Sequence, residues 1–296
     1  MQTSSKPSPR DRQVFDWNGH QIAVWQYGAG EDLVLLHGFP SSSRDWDEVG
    51  DELAEHYRIL QFDFLGYGNS DKPAHTSYSV YRQTALASEI IGAYCMGPAT
   101  IVGHDLGGIV LQILLLGKYD TADELISQAI FMNSSVYADL YRPTLSQRLL
   151  TTPIVGGLVA RAMSERSFQK GVQATGGRNR DRLRKETSRM WEDFASDDGK
   201  LLAPRHLVYM KERSDAANKL EAAMEQFNPQ RLAFLYGDAD PVSGLHQLEH
   251  IRSRIPAAHS RQLEGLGHFP MLEDPHCVAA AIHDAVSNRS YQPDSR

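Results

Sequence analysis

The chain has 296 residues, of which 41% are hydrophobic and 23% charged, a composition typical of a globular protein with one large core or two domains. Its formal net charge is −7, and acids and bases are interspersed, without the basic block that would indicate a nucleic-acid partner. No apolar run approaches the roughly 18 residues of a membrane span, and the Ser/Pro-rich N-terminus lacks the apolar stretch of a secretory signal, so we expect a cytoplasmic protein.

In the first half of the chain, short apolar runs alternate with helical patterns. The predicted strands are 21–25, 32–36, 58–62, 100–102 and 126–132. The predicted helices are 42–57, about 80–95, and 109–116. This alternation predicts an α/β fold in which a mostly parallel sheet is covered by helices on both faces.

After about residue 136 the pattern changes to helices and loops, and strand character returns only at 231–236 and 260–263, before a last helix at 277–286. A helical block inserted between two strands of a parallel sheet predicts a lid over the carboxyl edge, where substrate pockets lie. We therefore expect a core of residues 13–135 and 226–288, a helical cap of 136–225, and flexible tails at 1–12 and 289–296.

The turn Gly103-His104-Asp105-Leu106-Gly107 joins a predicted strand to an apolar helix. It has the shape of a Gly-x-Ser-x-Gly nucleophile elbow with Asp in the Ser position, a strained turn that lifts one side chain above the sheet. The flanking glycines would let strand and helix approach closely. A tight turn with an Asp near a helix N-terminus would look the same in isolation, but the residues downstream favour a nucleophile.

Two downstream residues complete a catalytic set in the order nucleophile, acid, histidine. Asp240 follows one predicted strand, and His268 lies in a Gly-rich loop after the last strand. Asp238 competes for the role of the acid, but Asp240 is favoured because an Asp-Pro pair closes the loop there. The segment after the strand that ends at Met132 offers only Asn and Ser, which disfavours an acid at that position.

The segment His37-Gly38-Phe39-Pro40 ends the strand before the first helix. A loop at this position supplies the second donor of an oxyanion hole, so we expect the backbone N–H groups of Phe39 and Leu106 to form that hole. His37, Gly38 and His104 are expected to support the site as parts of these motifs.

Four segments resemble the epoxide hydrolase and haloalkane dehalogenase branch of the α/β-hydrolases, and within it the mesoderm-specific transcript family. They are HGFP at 37–40, DFLGYGNSDKP at 63–73, HDLGG at 104–108 and GHFP at 267–270. The resemblance covers roughly residues 15–286 and implies an α/β-hydrolase fold with an inserted helical lid. It is specific for the fold and the catalytic positions, and much less so for the substrate.

An Asp at the elbow predicts attack on a saturated carbon, because a carboxyl group with a pKa of about 3.9 is already ionised at pH 7. Asp105 would form an ester with an epoxide or alkyl-halide carbon, and His268, oriented by Asp240, would activate a water against that ester. The substrates would be a small hydrophobic organic molecule and water, with no cofactor and no metal. An esterase or lactonase, and a ligand-binding protein that has lost turnover, stay open as alternatives.

The choice between epoxide and halide depends on the leaving group. The dehalogenases typically carry Trp after the nucleophile and often Asn after His-Gly, whereas this chain has Leu106 and Phe39 there. An epoxide oxygen leaves as a basic alkoxide and needs a proton, which epoxide hydrolases supply from lid tyrosines. Of three tyrosines in the predicted lid, Tyr137, Tyr141 and Tyr209, we expect the last two to be the acids. Epoxide opening is therefore the first hypothesis and dehalogenation the second.

Two further pairs of residues have a recognisable pattern in the sequence. His246 and His250 have a four-residue spacing but not the His-Glu-x-x-His pattern of a zinc site, so they predict an exposed helix face. Cys95 and Cys277 lie in apolar helical patterns and predict buried free thiols. The oligomeric state cannot be derived from the sequence.

Overall fold

The computed structural model describes residues 11–117 and 122–287, so the expected tail at 289–296 and most of the tail at 1–12 lie outside the described residues. Eight strands form one sheet. In chain order they are β1 (Arg12–Trp17), β2 (His20–Gly28), β3 (Glu31–Leu36), β4 (Tyr57–Phe62), β5 (Ala99–His104), β6 (Ile126–Met132), β7 (Leu232–Gly237) and β8 (His259–Leu263). Across the sheet the order is β1-β2-β4-β3-β5-β6-β7-β8.

The sheet is mostly parallel, which confirms the predicted fold class. Strand β2 runs antiparallel to β1 and β4, and every other neighbouring pair is parallel. All six residues of β5 and all six of β7 are buried. Because successive side chains of a strand point to opposite faces, helices and loops must cover both faces here, and this explains the continuous apolar runs in the sequence.

Fourteen α-helices lie in the described parts of the chain. They are α1 (Asp47–Leu53), α2 (Val80–Tyr94), α3 (Leu106–Leu114), α4 (Ala122–Leu125), α5 (Leu145–Thr151), α6 (Val155–Ala162), α7 (Glu165–Gln173), α8 (Arg180–Ala195), α9 (Ala203–His206), α10 (Val208–Asp215), α11 (Ala217–Gln226), α12 (Leu245–Arg254), α13 (Pro270–Glu273) and α14 (Pro275–Ser287). Short 3₁₀ turns add Ser43–Trp46, Ala138–Leu140, Ser196–Leu202 and Pro229–Arg231. Helix α1 packs against α14, and α2 packs against α3.

Helices α5 to α11 follow one another between β6 and β7, where the sequence predicts a helical cap. We keep the cap limits of 136–225 as a proposal. None of the helices in the described ranges combines the length and hydrophobicity that a bilayer crossing needs. Both cysteines are free thiols as expected, but they are half-buried rather than buried.

Two local predictions differ from the structure. The helix expected at 42–57 is a 3₁₀ turn followed by α1, and Tyr57 belongs to β4 because it pairs with Glu31 of β3 and packs into the core. Strand β1 was not predicted, because only Trp17 among its six residues is buried and the apolar alternation is weak. The overlooked signal is Asn18-Gly19, whose positive φ angles of 55° and 79° form the two-residue hairpin turn to β2.

Candidate active site

Asp105 sits in a strained turn between β5 and α3. Its φ of 46° and ψ of −109° are unusual for a residue with a side chain, at a cost of about 1–3 kcal/mol. A Cβ on Gly103 would lie 2.5 Å from the Gly107 carbonyl oxygen, and one on Gly107 would lie 2.5 Å from that of Leu36. Both positions therefore need glycine, and the turn has the geometry expected of a nucleophile elbow.

His268 and Asp240 form a buried pair at the carboxyl ends of β7 and β8. His268 Nδ1 lies 2.8 Å from Asp240 Oδ2. Burial by itself would raise the pKa of Asp240, but the His268 charge and hydrogen bonds from His268, Asn133 and Val242 lower it overall. Asp240 is thus held as a carboxylate that orients the imidazole ring, the role of the acid in a catalytic triad.

The competing acid, Asp238, has a different set of contacts. Its carboxylate accepts hydrogen bonds from the Gln262 side chain at 2.7 Å and from the Gly265 N–H at 2.6 Å. Asp238 therefore stabilises the loop that carries His268, whereas Asp240 contacts the His268 ring itself.

Asn133, at the end of β6, is a residue whose role the sequence did not reveal. Its amide nitrogen donates to Asp240 Oδ2 at 2.9 Å, and its amide oxygen accepts from the Gly237 N–H at 2.8 Å. Asn133 is fully buried, with a φ of 40°. It fixes the acid from the neighbouring strand, and the only signal in the sequence was its position directly after a buried strand.

The Asp105 carboxylate lies between the histidine and the loop after β3. Asp105 Oδ1 is 4.0 Å from His268 Nε2, beyond hydrogen-bond distance, and Oδ2 accepts a hydrogen bond of 3.0 Å from the Phe39 N–H. Leu106 is buried and directly follows Asp105 as the first residue of α3. The two residues predicted as oxyanion donors therefore flank the Asp105 carboxylate, and the Phe39 N–H already contacts it.

The three predicted supporting residues lie around this carboxylate. A Cβ on Gly38 would lie 2.7 Å from that of Asp105, so only glycine permits the approach. Burial lowers the pKa of His37 to about 4, and that of His104 to about 3, so both rings are neutral at pH 7. His37 Nε2 accepts from the Phe64 N–H, and His104 Nε2 lies 2.7 Å from the His268 carbonyl oxygen. Both rings hold backbone that positions the site.

Tyr209, on α10, contacts the Asp105 carboxylate directly. Its hydroxyl donates a long hydrogen bond of 3.4 Å to Asp105 Oδ2. Burial, and then the negative charge of Asp105, raise the pKa of Tyr209 well above its usual value. A hydroxyl that stays protonated beside the nucleophile can donate a proton there.

Tyr141 lies next to Tyr209. Burial and the Asp105 charge raise the pKa of Tyr141, while Arg213 and a hydrogen bond with Tyr209 act in the opposite direction. The Tyr141 hydroxyl also contacts Met210 Sδ at 3.7 Å. The third candidate, Tyr137, instead donates to Glu225 Oε1 at 2.9 Å. The structure thus brings the two favoured tyrosines together near Asp105.

Arg213, on the same helix as Tyr209, was not predicted from the sequence. Its guanidinium carbon lies 4.4 Å from the centre of the Tyr141 ring, a cation–π contact, and Nη1 donates to the Ser135 carbonyl at 3.1 Å. Arg213 is only 3% exposed and makes no ion pair with a carboxylate in the described residues. A buried cation beside a phenol favours negative charge on the phenol oxygen, and Arg213 opposes the rise in the pKa of Tyr141.

A neutral, mostly aromatic wall completes the site on the side of the loop after β4. The buried Tyr67 ring stacks on His206 at 4.2 Å between centres, and His206 also contacts Phe39. Burial lowers the pKa of His206 to about 3, so this ring is uncharged. The Tyr67 hydroxyl is buried with no hydrogen-bond partner within the described ranges. The wall suits an apolar substrate with one polar atom near Tyr67.

Glu273 joins the cap to the histidine loop. Its carboxylate accepts from the Gly267 N–H at 2.9 Å and from the Gly177 N–H at 3.0 Å. Beside it, the His268 N–H donates to the Thr175 carbonyl at 2.9 Å. The backbone next to His268 is therefore fixed by a cap segment, a contact that no local sequence pattern reveals.

His246 and His250, the pair weighed as metal ligands, face other groups. His246 Nε2 contacts the Leu140 carbonyl at 3.1 Å, and the His250 ring packs on Tyr137. Within the described residues, no cluster of three or more His, Cys, Asp or Glu side chains could hold a metal ion.

Comparison with known proteins agrees with the fold. The sequence pattern of the alpha/beta hydrolase family matches residues 33–281, and the chain belongs to this family. Among its relatives, the mesoderm-specific transcript protein of Mus musculus is 30% identical over 264 residues, which cover 86% of this chain and 78% of that protein. The putative hydrolase LipZ of Mycobacterium tuberculosis is 30% identical over 250 residues, which cover 84% of this chain and 86% of that protein. The resemblance inferred from the motifs is thus confirmed.

Solved structures of hydrolases share the fold. A loop variant of haloalkane dehalogenase DbeA from Bradyrhizobium elkanii has a TM-score of 0.75 at 18% identity, covering 95% of this chain and 97% of that one. The epoxide hydrolase CorEH has a TM-score of 0.72 at 17% identity, covering 94% of this chain and 99% of that one. At such low identity the likeness establishes the fold and does not distinguish between these activities.

Proposed function

We propose that the protein opens epoxides to diols through an ester on Asp105. The observation that carries this proposal is the arrangement around the nucleophile: a carboxylate at the elbow faces two tyrosines from the cap, Tyr209 in contact and Tyr141 beside it. A carboxylate supplies the nucleophile for a saturated carbon, and protonated phenols supply the acid for a basic leaving oxygen.

In the first step, an Asp105 carboxylate oxygen attacks one epoxide carbon, and the bond from that carbon to the epoxide oxygen breaks. The oxygen takes a proton from a tyrosine hydroxyl, so the products are an alkyl ester, a free alcohol and a transient phenolate. Arg213 stacks on Tyr141 and stabilises the phenolate until it is reprotonated.

In the second step, water hydrolyses the ester. His268 removes a proton from the water, which attacks Cγ of the Asp105 ester, and the Phe39 and Leu106 N–H groups stabilise the tetrahedral oxyanion. The intermediate collapses, and the diol oxygen leaves with the proton from His268. The second proton of the water returns to the tyrosine phenolate, which restores both the Asp105 carboxylate and the tyrosine hydroxyl. The oxygen of that water stays in Asp105 and the original Asp105 oxygen leaves in the diol.

Halide displacement is less well supported. A departing halide needs N–H donors around it, and neither Leu106 nor Phe39 has a side-chain N–H. Ester or lactone hydrolysis is less well supported too, because it would normally use a Ser at this elbow. A neutral, mostly aromatic wall indicates that the epoxide is small and hydrophobic.

Heavy-oxygen labelling tests the covalent route. After a single turnover of an epoxide in H₂¹⁸O with enzyme in excess, we expect ¹⁸O in the peptide that contains Asp105 and none in the diol. Peptide mass spectrometry measures the label in Asp105, and mass spectrometry of the product measures the label in the diol. The control is the protein in H₂¹⁸O without substrate. Label in the diol but not in Asp105 would show direct attack by water and rule out the ester.

The pKa of His268 should differ between the free enzyme and the Asp105 ester. Burial lowers the pKa of His268, but the charges of Asp240 and Asp105 raise it overall above its usual 6.5. Since His268 must be neutral to act as a base, ester hydrolysis should slow as the pH falls through this pKa. Ester formation removes the Asp105 charge, so the controlling pKa should be lower than in the free enzyme.

The measurement compares the pH dependence of single-turnover ester hydrolysis with the titration of His268 in the free protein by nuclear magnetic resonance. A kinetic pKa equal to or above that of the free enzyme would contradict the assignment of His268 as the base acting beside an esterified Asp105.

A further inference from the structure

The outer surface of the cap carries a concentration of exposed apolar side chains. Eight large hydrophobic residues are exposed in the described parts of the chain, and six of them belong to α5, α6 and the adjoining 3₁₀ turn. We call these six the outer cap patch: Leu145, Leu149, Ile154, Val155, Leu158 and Leu201. Exposed apolar patches on folded proteins mark sites of interaction.

The patch follows from the way α5 and α6 pack against each other. On α5, Leu145 and Leu149 are four residues apart and share the outward face, while Leu150 is buried. On α6, Gly156 and Ala160 face inward, with Gly156 in close contact with the backbone of α5. The 3₁₀ turn that carries Leu201 packs against α6. The apolar residues thus lie on the side of the helices that the rest of the fold leaves uncovered.

Ile154 is the most unusual member of this patch. Its side chain is 87% exposed at the turn between the two helices, and its φ is 65°. A β-branched residue in this conformation is strained, and a Gly or Asn would occupy it more easily. Neither packing nor backbone preference explains an Ile here.

Basic residues are frequent in the stretch of chain that carries most of the patch. Between residues 142 and 170 the chain has five exposed bases and a single acid, Glu165, although the whole chain carries a net charge of −7. The bases are Arg142, Arg148, Arg161, Arg166 and Lys170. The acids Asp197 and Asp198 lie at the other end, in the 3₁₀ turn next to Leu201. Arg148 on α5 and Arg161 on α6 therefore place positive charge on the same helices as the exposed apolar side chains.

We propose that the outer cap patch docks the protein onto the surface of a membrane that contains anionic lipid. Apolar side chains would enter the interface between headgroups and acyl chains, and Arg148 and Arg161 on the same helices would contact lipid phosphates. A second copy of this chain is the alternative occupant, and the test below distinguishes the two. The protein would lie on the membrane without crossing it, and this proposal does not depend on the reaction at Asp105.

Vesicle flotation tests this docking. The full chain is mixed with vesicles of phosphatidylcholine alone or of phosphatidylcholine with phosphatidylglycerol, at low and high salt. We expect the protein to bind the anionic vesicles and to bind the neutral vesicles more weakly. Binding to the anionic vesicles should be lost at high salt. The double variant Ile154→Ser/Leu158→Ser should bind at least about tenfold more weakly, since it removes two large apolar groups from the interface.

The matched control is Val14→Ser/Met96→Ser, which removes the two exposed apolar residues that lie outside the patch. It should bind as the unaltered protein does, and circular dichroism should show that both variants are folded. Failure of the unaltered protein to bind anionic vesicles, or equal binding by the patch variant, would overturn the proposal. Sedimentation would also overturn the proposal if the unaltered protein and the control variant were dimers and only the patch variant were a monomer. The patch would then join two copies.

Discussion

We expect His268→Gln to form the Asp105 ester at close to the normal rate and then to stop. The first step needs the Asp105 carboxylate and a proton donor from the cap, and His268 takes part in neither. The second step needs a base beside the ester, and Gln has no nitrogen that can take a proton from water. Loss of general base catalysis should slow hydrolysis by about 10²–10⁴-fold.

The measurement is intact-protein mass spectrometry after mixing with excess epoxide, in which the variant should gain the mass of one substrate. The control is His276→Gln, which makes the same change at an exposed histidine on α14. That variant should turn over normally and accumulate no ester. If His268→Gln loses activity without an adduct, with a substrate that the unaltered protein hydrolyses, then His268 is not the base of an ester-hydrolysis step.

The elbow was predictable because its requirements are local. A strained turn between strand and helix needs small residues at fixed positions, and Gly103 and Gly107 make contacts that leave no room for a Cβ. The order of Asp105, Asp240 and His268 along the chain follows from the order of the strands, since each residue ends or follows a strand of the parallel sheet. The sequence therefore contains the elements that bring these three side chains together.

Other contacts of the site were not predictable, because they join segments far apart in the chain. Asn133 hydrogen-bonds Asp240 from a neighbouring strand, and Glu273 holds both the histidine loop and the cap. Arg213 resembles any helix arginine in the sequence, and only the packing of the cap shows it buried against Tyr141. Which cap tyrosine approaches Asp105 likewise depends on how the helices cross, and the structure shows the Tyr137 hydroxyl bonded to Glu225 instead.

The cap tyrosines should control the first step and leave the second unchanged. We expect Tyr141→Phe and Tyr209→Phe each to slow ester formation, and the double variant to slow it by about 10²–10⁴-fold, the usual contribution of a general acid. Ester hydrolysis uses His268 and the backbone donors, so its rate should stay close to normal. Single-turnover mixing followed by acid quench and mass spectrometry measures both steps.

Tyr137→Phe is the matched control, because it removes a hydroxyl that bonds Glu225 instead of facing Asp105. It should form the ester at the normal rate. Unchanged ester formation in the double variant would exclude both tyrosines as the acid and direct attention to the unpaired Tyr67 hydroxyl.

The two single variants should slow ester formation to different extents. Tyr209 donates to Asp105 Oδ2, so Tyr209→Phe removes an acid but also frees a carboxylate oxygen from a hydrogen bond that makes it less nucleophilic. Tyr141 contacts the cation of Arg213 and hydrogen-bonds Tyr209, but it makes no hydrogen bond to Asp105 in the described structure, so Tyr141→Phe removes a proton donor without freeing a carboxylate oxygen. We therefore expect the larger loss from Tyr141→Phe. The opposite order would make Tyr209 the principal acid, with Tyr141 and Arg213 acting through its hydroxyl.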